Sequence, residues 1–177
     1  MSRKGMVVVF TGDGKGKTTA ALGMSLRAVG YGFKVTMIQF VKGSWRYGEL
    51  TSAERLKPEF ELRPAGRGFV GIIDDKLPME EHRKAAAKAL EDIEQIMTKG
   101  QQDVLILDEV FVARTLGLIT EEQILRLLDK RPEALHLVLT GRGCPQSVTE
   151  RADLVTEMRE IKHPFRQGRT AEIGIDF

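Results

Sequence analysis

Short, unbroken apolar runs closed by turn residues alternate along this chain with stretches in which apolar positions recur every three to four residues. Met6 to Phe10 (MVVVF) is continuous, rich in β-branched side chains and closed by a glycine-rich turn, the pattern of a central parallel strand buried on both faces. From Thr18 onward, Leu22, Leu26 and Val29 share one helical face and Gly30 supplies a stop, so an amphipathic helix opens inside the glycine loop. Phe33 to Val41 reads as the next strand, followed by an irregular stretch, Lys42 to Glu49. Phe60 to Pro64 is a further short strand, and Ala65 to Leu77, with glycines, an Asp pair and no stable period, reads as a mobile loop. Pro78, the acidic first turn Glu80-Glu81, the stripe Ala86, Leu90, Ile93 and Met97, and the stop Gly100 together define a long helix.

Asp103 to Leu107 (DVLIL) is a second buried strand and ends directly in Asp108-Glu109. Thr120 with Gln123 forms a capping box for a helix to about Lys130, and Leu135 to Leu139 (LHLVL) is a third buried strand. The turn Thr140 to Gln146, a short helix, an edge strand from Leu154 to about Ile161 and a polar tail complete the chain. Strands and helices that alternate without internal repeats predict an α/β fold: a mainly parallel, doubly wound sheet with helices on both faces. At 177 residues, against a guide of ~150 per domain, a single domain spanning residues 1–177 is expected.

Composition narrows the function classes. With 42% hydrophobic and 29% charged residues the chain has enough apolar material for one core, which excludes disorder and collagen-like sequence. The net charge of +2 is too small to argue for nucleic acid, and no basic stripe interleaved with aromatics is present. Cys144 is the sole cysteine and no Cys/His group has zinc-ligand spacing, which fits a reducing compartment, so a cytoplasmic location is expected. The run ending at Phe10 is too short for a signal-peptide core or a membrane span, so no membrane partner is expected.

The chemistry concentrates in Gly12-Asp13-Gly14-Lys15-Gly16-Lys17-Thr18-Thr19, between a buried strand and a helix. Glycines let successive N–H groups turn inward, the helix N-terminus favours an anion, Lys17 supplies a cation and Thr18 a hydroxyl for Mg²⁺. Against the pattern G-x-x-x-x-G-K-[ST] the first glycine is due where Thr11 stands, and Gly12 comes one residue late. A shorter loop places its amides differently around the phosphates, so the usual attack at the γ-phosphorus does not follow from it. Asp108 and Glu109 supply the carboxylates that such a fold sets beside the metal, and they are assigned jointly.

Arg142, in the Gly141-Arg142-Gly143 turn, emerges on the same sheet edge if its strand is parallel, where a guanidinium clamps phosphates. Arg27, far along the first helix, reads as a solvated surface residue. Trp45, Tyr47 and Phe69 lie in the two least regular segments and are equally suited to line a pocket for a large planar ligand or to anchor local packing. His82 is expected at the surface, His136 falls in a core-strand pattern and His163 opens the tail, with no nucleophile or metal partner visible for any of them. Cys144 shows no sign of being a nucleophile.

Taken in order and spacing, Gly12 through Ala21, Gln39-Phe40-Val41-Lys42-Gly43 with Gly48-Glu49, Leu107-Asp108-Glu109, Thr140-Gly141-Arg142-Gly143-Cys144, Lys162-His163-Pro164-Phe165 and Gly174-Ile175-Asp176-Phe177 resemble the P-loop ATP:corrinoid adenosyltransferases, the cob(I)yrinic acid a,c-diamide adenosyltransferases. The resemblance runs from the first strand to the last residue. It implies a P-loop NTPase-like (RecA-like) fold and transfer of the 5′-deoxyadenosyl group of ATP to the cobalt(I) of a reduced corrinoid, with release of triphosphate. It also implies Mg²⁺ or Mn²⁺, a homodimer and an electron-donor protein. Lys17, Thr18, Thr19, the loop residues Gly12 to Gly16 and Arg142 are then the triphosphate contacts, joined by Arg27. Thr18, Asp108 and Glu109 are the implied metal-side groups, with Glu109 the metal or substrate-side carboxylate and, with Lys17 and Arg142, an implied catalytic residue; Trp45 and Phe69 are the corrinoid-side candidates. Several relatives carry a longer N-terminal arm over the site, so here either the site is more open or another segment serves as lid, and relatives often carry a ring where Gly71 stands, which leaves Phe69 as the implied wedge against the lower cobalt ligand. Two rivals are set against this reading: a phosphotransferase acting at the γ-phosphate, and a non-enzymatic nucleotide-binding switch.

Overall fold

The computed structural model describes residues 4–41, 47–66 and 77–176. Its strands are β1 (Val7–Thr11), β2 (Val35–Gln39), β3 (Phe60–Pro64), β4 (Val104–Asp108), β5 (His136–Thr140) and β6 (Leu154–Glu157). The helices are α1 (Lys17–Val29), α2 (Gly48–Arg55), α3 (Met79–Lys99), α4 (Val110–Thr115), α5 (Glu121–Lys130) and α6 (Gln146–Arg151). The six strands form one sheet in the order β3-β2-β4-β5-β1-β6, and every pairing is parallel.

Alternation along each strand feeds two cores. Val7 and Val9 of β1, Leu105 and Leu107 of β4, and Leu137 and Leu139 of β5 pack with residues of α3 to α6. Val8 and Phe10, Ile106 and Val138 point the other way and pack with residues of α1 and α2. Central strands buried on both faces explain why β1, β4 and β5 read as continuous apolar runs. Because all the strands run the same way, their carboxyl ends share one edge. That edge carries the loop after β1, Asp108 at the end of β4 and Thr140 at the end of β5, with β5 lying between β1 and β4.

The capping box of α5 forms as expected: Gln123 N–H donates to Thr120 Oγ1 at 3.3 Å and Thr120 N–H to Gln123 Oε1 at 2.8 Å. Some expectations change. Helix α2 begins at Gly48, inside the stretch read as irregular, and α4 follows Asp108-Glu109 where no helix was expected. Strand β6 ends at Glu157 rather than near Ile161, because its partner β1 ends at Thr11: Met158 N–H still donates to Thr11 O, but its carbonyl accepts from Gly14 of the glycine loop. His82 is buried, 3% exposed, and not at the surface: it stands one turn before Ala86 and joins the inward stripe of α3. Trp45, Phe69, Gly71 and nearly all of the Ala65–Leu77 loop lie outside the described residues. Among the described residues no helix is long and apolar enough to cross a membrane.

Candidate active site

Strand β1 runs through Thr11, which pairs with Glu157 of β6, so only Gly12 to Gly16 separate the strand from Lys17. The loop bends at Gly12 (φ 92°) and enters the helix at Gly16 (φ 117°), conformations that glycine adopts without strain. Its underside rests on the chain leaving β6. Gly14 N–H donates to Met158 O at 2.7 Å, and a Cβ on Gly12 would lie 2.5 Å from that same carbonyl oxygen. Backbone that cannot yield sits there, so Gly12 and Gly14 are glycines for close approach as well as for turning.

Lys17 is only 6% exposed, and its Nζ donates to Gly12 O and Gly14 O, both at 2.7 Å. Burial pushes its pKa below the usual lysine range; the Glu109 carboxylate opposes that shift, the Arg142 guanidinium adds to it, and Asp13 and Asp108 oppose it more weakly. The ammonium is thus held between carbonyls and carboxylates at the head of α1, where the helix N-terminus also favours an anion.

Beside it, Asp108 is wholly buried and accepts three hydrogen bonds. Thr18 Oγ1 and Thr140 Oγ1 donate to its Oδ1 at 2.9 and 2.7 Å, and Gln39 Nε2 donates to Oδ2 at 3.1 Å. Thr140 Oγ1 also accepts from Glu109 N–H at 2.9 Å, which ties the next residue into the cluster. Glu109 has φ 57°, a left-handed conformation that a non-glycine residue adopts at a cost, and it turns the chain from β4 into α4. Hydroxyl and carboxylate oxygens at the head of a phosphate-binding helix are hard donors. Among the described residues no group of three or more His, Cys, Asp or Glu side chains forms a metal cage. That donor set fits Mg²⁺, which takes one or two protein oxygens and completes its octahedron with phosphate and water.

The structure therefore brings together Lys17, Thr18, Asp108 and Glu109 with the loop Gly12 to Gly16, and sets Arg142 at the same edge, exposed, within electrostatic reach of Lys17. Asp13 and Thr19 are exposed at the loop and the first turn of α1. Lys15 is exposed and forms an ion pair with Asp176 of the tail, which holds the Asp176 carboxyl below the usual range. Arg27 is not brought to the loop: it is exposed in the last turn of α1, roughly 15 Å of helical rise beyond Lys17.

Thr140 and Gln39 join the site without a role having been assigned to them, and Tyr47, read as equally suited to line a pocket or to anchor packing, joins it through Gln39. Tyr47 Oη donates to Gln39 Oε1 at 2.6 Å, and burial together with the Glu49 and Asp108 charges pushes its phenol up to about 12. The available signal was a polar residue at the carboxyl end of a buried strand, as Thr140 ends β5 and Gln39 ends β2. Cys144, half-buried, has a thiol raised by burial, and its N–H donates to Thr11 Oγ1 at 3.3 Å.

Comparison with known proteins follows the same lines. A family model described as "ATP:corrinoid adenosyltransferase BtuR/CobO/CobP" matches residues 3–177. The chain is 36% identical over 174 residues to the corrinoid adenosyltransferase of Escherichia coli strain K12, covering 98% of this chain and 86% of that one. It is 34% identical over 174 residues to the corrinoid adenosyltransferase CobA of Salmonella typhimurium strain LT2, with 98% and 86% covered. Among solved structures it is similar to the flagellar accessory protein FlaH of Methanocaldococcus jannaschii, with a TM-score of 0.59, 11% identity, and 88% of this chain and 71% of that one covered. The KaiC-like protein PH0186 of Pyrococcus horikoshii OT3 aligns with a TM-score of 0.56 and 17% identity over 90% and 75% of the two chains. These two likenesses bear on the fold alone.

Proposed function

Because this chain belongs to the ATP:corrinoid adenosyltransferase BtuR/CobO/CobP family, it is an enzyme that transfers the adenosyl group of ATP to a corrinoid, and we propose that it does so with the residues gathered at the head of α1. In this reading a reduced corrinoid presents cobalt(I), which attacks C5′ of ATP. The cobalt–carbon bond forms as the C5′–O bond breaks, and its electron pair leaves with triphosphate. Cobalt(I) needs no base to activate it, so the protein's work is to present C5′ and to stabilise the departing charge.

The observation that carries this reading is the short loop. With Thr11 still paired in β1, the amides of Gly12 to Gly16 close around the phosphates one residue tighter than the G-x-x-x-x-G-K pattern, which favours a register that turns C5′, rather than the γ-phosphorus, toward the nucleophile. Lys17, preorganised between Gly12 O and Gly14 O, moves its ammonium to the triphosphate, and Arg142 clamps it from the β5 side. Thr18 and Asp108, with Glu109 beside them, would hold Mg²⁺, or Mn²⁺ in its place, and the ion would supply positive charge to offset that of the triphosphate. Trp45 and Phe69 serve the corrinoid side. The working unit is a homodimer in the cytoplasm, supplied by an electron-donor protein that delivers cobalt in its reduced state.

Incubation of the chain with ATP, Mg²⁺ and chemically reduced corrinoid is expected to produce the absorption spectrum of a cobalt–carbon bond at a rate proportional to enzyme. ATP consumption without that spectrum would point to the phosphotransferase reading instead.

A further inference from the structure

Tyr47 occupies the N-cap of α2, where Ser, Thr, Asp or Asn ordinarily accepts from the helix's first N–H groups, yet its side chain makes no such bond. Its hydroxyl is committed to Gln39 Oε1 at 2.6 Å, and Gln39 Nε2 to Asp108 Oδ2 at 3.1 Å. Gln39 and Asp108 are fully buried and Tyr47 is 7% exposed. A carboxylate only accepts, so the amide must turn its NH₂ toward Asp108 and leave its oxygen for the phenol; the direction of the chain is set by donor and acceptor chemistry. Packing alone gives no reason for a glutamine at the end of a buried strand, since an apolar residue there would avoid the cost of desolvating an amide.

We propose that Gln39 and Tyr47 are positioning residues for the nucleotide end of the site: one buried hydrogen-bond chain fixes the orientation of the Asp108 carboxylate toward Thr18 and anchors the start of α2 to it. The inference rests on the reading of Asp108 as a metal-side carboxylate. With Oδ2 held by the amide, Oδ1 keeps the proton of the Thr18 hydroxyl, which leaves the Thr18 Oγ1 lone pairs at the head of α1 for Mg²⁺. Residues that orient the groups around a metal are worth roughly 10- to 100-fold in metal affinity.

The test is binding of inorganic triphosphate to the full chain with and without Mg²⁺, by calorimetry. The wild-type chain should bind more tightly with Mg²⁺. Tyr47→Phe, which removes one oxygen and keeps the ring, and Gln39→Leu should each lose about tenfold or more of that Mg²⁺-dependent gain, while metal-free binding changes by less than about twofold. Because the two act through one chain, the double variant should be no worse than the worse single one. Ile93→Val, on the buried face of α3, controls for general loosening and should keep the full gain. If Gln39→Leu fails to fold, Tyr47→Phe alone decides. A wild-type gain retained by Tyr47→Phe overturns the inference; no gain in the wild-type chain overturns the metal reading and the inference with it.

Discussion

Replacing Lys17 with methionine should leave a folded chain whose adenosyl transfer is slowed roughly 10²- to 10³-fold, the usual cost of removing one preorganised charge-stabilising donor. Methionine is unbranched and of similar length, so the buried stem keeps its packing; what is lost is the ammonium and its bonds to Gly12 O and Gly14 O. Burial already disfavours that ammonium and the neighbouring carboxylates offset the penalty, so the wild-type chain keeps a cation where charge grows on the leaving triphosphate. Single-turnover formation of the cobalt–carbon bond, with circular dichroism to confirm folding, measures the effect. A rate within a fewfold of wild type would remove Lys17 from the reaction.

Asp108 separates charge from architecture. Asp108→Ala strands the Thr18 and Thr140 hydroxyls and the Gln39 amide in a buried site. That should cost about 2–4 kcal/mol and lower Tm by roughly 5–15 °C. Asp108→Asn behaves differently. Its carbonyl oxygen can still accept from both threonines, Gln39 can rotate its amide to accept from the new NH₂, and the Tyr47 hydroxyl can accept from the rotated glutamine. The variant should therefore stay within about 1 kcal/mol of wild type in stability while Mg²⁺-dependent turnover falls about 100-fold. Thermal denaturation paired with initial rates across a Mg²⁺ titration checks both halves. Equal loss of stability in the two variants would contradict the hydrogen-bond assignment.

Much of this arrangement is legible in the chain. The runs that became β1, β4 and β5 are almost continuously apolar because both faces are covered, and their short length, bounded by turn residues, marks them as strands. The glycine loop announces itself by what precedes and follows it. Helix α4 escaped notice because Val110-Phe111-Val112-Ala113 continues the apolar run of β4, and six residues are too few to show a period. Its start depends on Glu109 taking a left-handed conformation, which favours glycine and gives no warning in a glutamate. His82 could have been placed by extending the stripe of α3 back one turn from Ala86. The contacts of Met158 with Gly14 and of Asp176 with Lys15 join segments that no local pattern relates. Thr140 and Gln39 stand between these cases: the chain places Gln39 late in a strand and Thr140 at the turn after one, and only the fold shows that both face the same carboxylate.

What matters most is which atom of ATP the loop turns toward the corrinoid. ATP labelled at the γ-phosphate, incubated with the enzyme and reduced corrinoid, should place the label in intact inorganic triphosphate, one molecule for each cobalt–carbon bond formed. Label recovered as orthophosphate or on a phosphorylated acceptor, with the ribose carbon still bound to oxygen, would contradict it.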